Sequence, residues 1–181
     1  MNRNATRTAL VTIGLATLAA CVVNLSFEMK KTLAVKSNPS APTTISVAQL
    51  IALSDYKEIT DHQNNIKSLD LDYAEATVTA VNPGNTATKV TGSLKLRKTF
   101  LPSTPPDDIK VGDLTNFPIN VVGSTVKLNG NPTLDAFLLQ QLQTAGTFYA
   151  VIDGTVDGVA DLIVDVNMHA SIGYDAGLSF F

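Results

Sequence analysis

Three aspartates spaced four apart, Asp153, Asp157 and Asp161, with Gly158 after the second, come closest to a chemical motif in this chain. Acidic groups at positions 1, 5 and 9 with glycine at 6 follow the spacing of a calcium loop. Such a loop also needs an acidic or amide group at position 3 and a bidentate glutamate at position 12. Thr155 and Val164 stand there instead. Strand-like alternation also runs through Val164, so a β-turn with solvated aspartates and no bound metal is expected. His62 and His169 are the only histidines, and neither has a histidine or cysteine nearby in sequence. His169 falls on the polar face of a predicted strand. The chain has no Gly-x-Ser-x-Gly elbow, no phosphate loop and no His-Glu-x-x-His pair. A hydrolase would have to assemble one histidine with distant Ser and Asp residues, which any β protein of this size contains. Asp70 and Asp72 share a predicted strand face and read as solvent-facing charges rather than an acid–base pair. The expectation is a non-enzyme without a cofactor.

The chain has 181 residues, 45% of them hydrophobic and 16% charged, with no Trp and a formal net charge of −3. One domain with a mainly Val, Ile, Leu and Ala core follows from these values. A mildly acidic chain with no basic cluster is a poor nucleic-acid binder. It would not adhere to anionic lipid by charge either. Its single cysteine, Cys21, excludes an intrachain disulfide and a cysteine metal site.

Arg3 and Arg7 lie in an acid-free start, followed by an uncharged run from Ala9 to Ala20. A basic end, a short apolar segment and a small-residue site make up the layout of a secretory signal peptide. The segment is shorter than the roughly 20 apolar residues that span a bilayer. Leu18-Ala19-Ala20-Cys21 resembles the lipobox of bacterial lipoprotein precursors. The resemblance covers about twenty residues, on the layout read above. It implies removal of residues 1–20, acylation of Cys21 with three chains, and membrane anchoring through that lipid. Val22 is not the aspartate that retains many enterobacterial lipoproteins in the inner membrane, so the resemblance points to the outer membrane. Loss of Arg3 and Arg7 takes the formal charge from −3 to −5.

Residues 21–181 read as a single β-rich domain. Val23, Leu25, Phe27, Met29, Leu33 and Val35 share one parity, broken by Lys31, which predicts a strand starting almost at Cys21. Ser37 to Thr44, with Pro39 and Pro42, reads as a loop. Ile45 to Leu53 is ambiguous between strand and helix. Asp55 to Asn64 reads as a short exposed helix capped by Ser54. Ile66 to Val81 is a strand whose apolar parity changes near Ala74 and Glu75, as a β-bulge would cause. The turn Asn82-Pro83-Gly84-Asn85 then predicts a hairpin with the strand around Val90 to Phe100, whose Lys95 and Arg97 side reads as solvated. Leu101 to Asp113 is a long loop. Phe117 to Val122 and Ser124 to Leu128 are short strands.

Asn131-Pro132 begins a helix from Thr133 to Ala145, with an apolar stripe of Leu134, Phe137, Leu138 and Leu142, stopped by Gly146. That stripe should pack over one end of the sheets. Thr147 to Val156 reads as a central strand, and Leu162 to Ile172 alternates cleanly. The Gly-rich tail to Phe181 suits a last edge strand.

Six to eight turn-connected strands with one helix near 133–145 predict a mainly β fold. The expected form is an antiparallel two-sheet β-sandwich of immunoglobulin-like type. The Asn82-Pro83 turn and its flanking strands also resemble β-sandwiches of late-embryogenesis-abundant type, from which no function is carried over. The function expected is a non-enzymatic, lipid-anchored envelope protein serving as a binding or structural module, with an unidentified envelope protein as its partner. The alternatives are a carrier or sensor of an apolar, lipid-like ligand held in the core between the sheets or under the Leu134 to Ala145 helix, and a hydrolase.

Overall fold

The computed structural model describes residues 22–103 and 107–177. Among them are eight antiparallel strands and two helices. The strands are β1 (Val22–Asn38), β2 (Ala41–Ala52), β3 (Ile66–Val81), β4 (Lys89–Arg97), β5 (Ile109–Pro118), β6 (Thr125–Asn129), β7 (Thr147–Val156) and β8 (Asp161–Asp175). The helices are α1 (Lys57–Thr60) and α2 (Pro132–Thr144).

The strands follow one continuous order, β5-β4-β7-β2-β1-β8-β3-β6. Its middle pair, β1 and β2, meets only beside the connecting turn, where Ser37 faces Ile45 and Asn38 faces Ala41. The sheet folds at that corner into two halves and nearly closes into a barrel-like shape. At the far edges β5 and β6 come together: a Cβ on Gly112 would lie 2.8 Å from the Leu128 side chain. The pairings nest, β1 with β8, β2 with β7, β3 with β6 and β4 with β5. Nested pairing of this kind is the connectivity of a jelly roll. The immunoglobulin-like order expected from the alternation is not the one observed.

The alternating strands supply the core. Phe27, Met29, Leu33 and Val35 of β1 face inward, as do Leu162, Val164, Val166, Met168, Ala170 and Ile172 of β8. The odd residue in β1, Lys31, reaches Asp55 at 3.2 Å. β7 lies between β2 and β4, the central position expected for it, and Phe148, Ala150 and Val151 are fully buried. Gly92 of β4 stands opposite Gly154 of β7, and a Cβ on Gly92 would sit 2.0 Å from the Asp153 carbonyl oxygen. Only glycine permits that approach.

The register sorts the connections into two ends. Val22, the β2–β3 connection with α1, the β4–β5 connection, α2 and Asp175 lie at one end. The β1–β2 turn and residues 82–88, 119–124 and 157–160 lie at the other. α2 packs over the first end, as its stripe requires. The Asn131 side chain accepts from the N–H groups of Thr133 (3.0 Å) and Leu134 (3.2 Å). Leu134, Phe137 and Leu138 are buried, and Gly146 ends the helix at φ +66°. Asp135 of α2 accepts the Leu71 N–H of β3 at 2.8 Å, fixing helix to sheet.

Several local expectations are corrected. The Asn82–Asn85 turn forms, with the Asn85 N–H donating to the Asn82 carbonyl at 2.9 Å. However, β3 and β4 do not form a hairpin. Residues 82–88 cross from one half of the sheet to the other, held by hydrogen bonds from Thr86 and Ala87 to the Val159 carbonyl. The phase change in β3 falls at Asp72, where the register shifts between Leu71 and Tyr73, rather than at Ala74 and Glu75. Residues 37–44 are mostly strand, turning only around Pro39 and Ser40. The expected helix at 55–64 is a 3-10 turn at Leu53–Asp55 followed by the four residues of α1, and Ser54 caps neither. β5 begins at Ile109, well inside the expected loop. The tail does not form an edge strand among the described residues: Gly173 to Asp175 end β8, which lies between β1 and β3, and residues 178–181 lie outside the described residues.

Candidate functional site

Strand alternation places Leu94 and Leu96 of β4 in the core, and Ser93, Lys95 and Arg97 on the outer face. That outer face is not solvated as expected, because Arg97 is only 4% exposed. The β4–β5 connection returns over it. Asp108 receives Arg97 in a two-pronged pair, 2.5 Å from Nε and 2.9 Å from Nη2. Arg97 Nη1 donates to the Phe100 carbonyl at 3.3 Å. One planar guanidinium therefore holds both legs of the connection, a geometry lysine does not supply. Hydrogen bonding to Asp108 raises the Arg97 pKa, and the same bond holds the Asp108 carboxyl below its usual range.

Lys95 extends the cluster, lying 3.6 Å from Asp108 and 2.8 Å from Asp153. Asp153 also accepts from the Ser93 hydroxyl at 3.2 Å. The clamp presents a tip: Phe100 is 59% and Leu101 69% exposed, and the Phe100 ring meets Tyr149 edge-on at 5.8 Å. Beside it an open cleft of about 480 Å³ runs between Lys98, Asp107 and Ile109 on one side and Thr133, Phe137 and Gln140 of α2 on the other. Nothing in the period-two pattern of β4 marks Arg97 as buried. The only hint is the acidic pair Asp107-Asp108 among prolines eleven residues on.

The residues singled out from sequence are dispersed. Cys21 and the rest of Leu18-Ala19-Ala20-Cys21, with residues 1–20, lie outside the described residues. Asp153 belongs to the clamp cluster. Asp161 accepts from the Asn82 amide at 2.7 Å and lies 3.8 Å from Lys36. Asp157 accepts the Thr88 N–H (2.7 Å), the Lys89 N–H (3.1 Å) and the Thr88 hydroxyl. Each of the three candidate calcium ligands thus has protein donors of its own. Among the described residues no three His, Cys, Asp or Glu side chains are grouped to hold a metal ion.

His62 stacks on Tyr174 at 3.8 Å. His169 stacks on Tyr73 at 4.6 Å and pairs with Glu28 at 2.6 Å, while Lys127 lies over the other partner of that stack, the Tyr73 ring, at 3.4 Å. Asp70 accepts from the Ser68 hydroxyl, and Asp72 is the bulge residue.

Asp157 carries a prediction about acid stability. Its donors, led by Thr88, lower its pKa from 3.8 to about 2. A carboxyl depressed in the folded state contributes stability above its unfolded pKa and loses it as pH falls through the folded value. The stability gap between the protein and Asp157→Asn should therefore be full above about pH 4 and close as pH falls towards about 2. Urea unfolding at stepped pH reads the gap; a constant gap across that window contradicts the assignment.

The space between the two halves is nearly filled. A cavity of about 20 Å³ remains, lined by apolar side chains that include Val35, Val90, Phe117 and Leu162. No protein-family model matches the chain. No curated protein matches it either. Solved structures similar to it include a chain of Desmodium yellow mottle tymovirus, at 8% identity and TM-score 0.40, covering 100% of this chain and 97% of that one. The decameric BFDV capsid protein matches at 13% identity and TM-score 0.35, covering 84% of this chain and 98% of its own. The 60-mer BFDV capsid protein matches at 12% identity and TM-score 0.33, covering 89% and 97%. Likenesses at these TM-scores carry nothing about function, and no family is assigned.

Proposed function

We propose that this protein is a lipid-anchored protein of the bacterial envelope, placed in the outer membrane, whose jelly-roll sandwich is a non-enzymatic binding or structural module. One observation carries the reading: Val22, the residue after the lipobox cysteine, is already part of β1 and in register with Asp175 of β8. An acylated Cys21 would leave no flexible tether between lipid and body. Several acyl chains on one residue give stable anchoring, where a single chain is marginal. The end that carries α1, α2 and the Arg97 clamp then faces the bilayer. The opposite end, with residues 82–88, 119–124 and 157–160, is presented to a partner in the envelope.

The carrier reading ranks second because the space between the sheets has little room and the cleft beside α2 is open rather than enclosed. A space of about 20 Å³ suits roughly one water molecule, and an apolar lining leaves it dry. An acyl chain would require the two halves of the sheet to separate. The hydrolase reading has less support, since both histidines are engaged with tyrosine rings.

Metabolic labelling with a fatty acid tests the anchor. The protein should take up label and sediment with membranes, and Cys21→Ser should lose the label and leave the membrane fraction. Label retained by Cys21→Ser contradicts the proposal.

A further inference from the structure

We infer that the Phe100-Leu101 tip enters the lipid surface next to the anchor, so that the body is held at two points; the inference rests on the anchor reading above. Strand register carries the placement. Val22 starts β1 at the same end of the sheet at which β4 stops, since Val22 faces Asp175 at the end of β8 and Arg97 faces Tyr149 near the start of β7. A lipid on the residue before Val22 brings that end to the bilayer.

Leu101 is 69% and Phe100 59% exposed, while Leu50, opposite Tyr149 on β2, is 41% exposed. With the Phe100 ring against Tyr149, these residues form one apolar strip leading off the sheet. Exposed Lys98 flanks it, a side chain that can lay its stem along apolar surface and keep its ammonium among headgroups.

The tip is also held in shape. Arg97 binds the Phe100 carbonyl and, through Asp108, the returning leg, while the Thr99 hydroxyl donates to the Leu101 carbonyl at 2.7 Å. An ordered pair of exposed apolar residues loses little freedom on entering lipid, which lowers the cost of binding. Val121 and Val122, 55% and 61% exposed, make a similar tip at the opposite end and serve as the internal control.

The chain contains no Trp, so one introduced tryptophan reports its own surroundings. Leu101→Trp and Val122→Trp would be purified from membranes and reconstituted in phosphatidylethanolamine–phosphatidylglycerol vesicles containing a brominated phosphatidylcholine. Mass spectrometry would record the state of Cys21 in the same samples. Leu101→Trp emission should shift to shorter wavelength and be lost to the brominated lipid, and Val122→Trp emission should do neither. Unquenched Leu101→Trp in vesicle-bound protein with acylated Cys21 overturns the tip and leaves the anchor standing. Unmodified Cys21 overturns the anchor and the tip with it.

Discussion

Asp108→Ala is expected to destabilise the fold by about 1–3 kcal/mol, the cost of leaving a partly buried charged donor without its acceptor. The Arg97 side chain is 5% exposed and its Nε and Nη2 have no other protein acceptor among the described contacts. Without Asp108 a guanidinium stays charged at any accessible pH under a connection that no longer closes over it. Lys95 keeps Asp153, at 2.8 Å, so the loss should centre on Arg97. The double variant Arg97→Met with Asp108→Leu should recover most of the stability, because an apolar pair of similar volume removes the uncompensated charge. As a contrast, the exposed Lys110–Asp113 pair should be worth less than about 1 kcal/mol. Urea unfolding midpoints at neutral pH read all of these. Asp108→Ala within about 0.5 kcal/mol of the parent would show that the clamp is a surface pair in solution.

Phe148→Ala should cost about 3–5 kcal/mol for a different reason, a cavity where three elements meet. Phe148 is fully buried on β7, opposite Ile51 of β2, and its ring meets Phe137 of α2 edge-on at 6.2 Å. β2 pairs with Phe148 itself and β4 pairs as far as the adjacent Tyr149, so the β7 backbone has little freedom to collapse into the void. Phe148→Leu keeps most of the volume and should cost about 1–2 kcal/mol. The unfolding midpoint should fall while the denaturant slope stays constant, the mark of a change in stability alone. A Phe148→Ala cost below about 1 kcal/mol would mean that α2 does not dock as described.

β1, β8 and α2 were legible in the sequence because each presents one apolar face to one core. Alternation at Phe27, Met29, Leu33 and Val35, and again from Leu162 to Ile172, reports a half-buried strand directly. Asn131-Pro132 and the Leu134, Phe137 and Leu138 stripe report a capped helix in the same way. Strand partnership was not legible. The Asn82–Asn85 turn is a local event, and a chain leaving it can pair back or cross to the other half of the sheet. Here the Thr86 and Ala87 N–H groups bind the Val159 carbonyl, 72 residues beyond the latter in sequence, and the chain crosses.

β5 was missed over most of its length because its pattern breaks. It carries Gly112, Asp113 and Asn116, the last at φ +49°, and pairs with β4 through two register shifts. The Arg97 clamp was hidden for a related reason. Period two separates inward from outward side chains, but it does not say whether a connection will later cover the outward face. Cys21 is marked by its motif alone, and the geometry adds that Val22, the next residue, is already strand.

The mass of the mature N-terminal peptide, taken from protein purified out of membranes, tests the central claim most directly. The account predicts a chain starting at Cys21 and carrying three acyl chains. A chain starting at Met1, or at an unmodified Cys21, would contradict it.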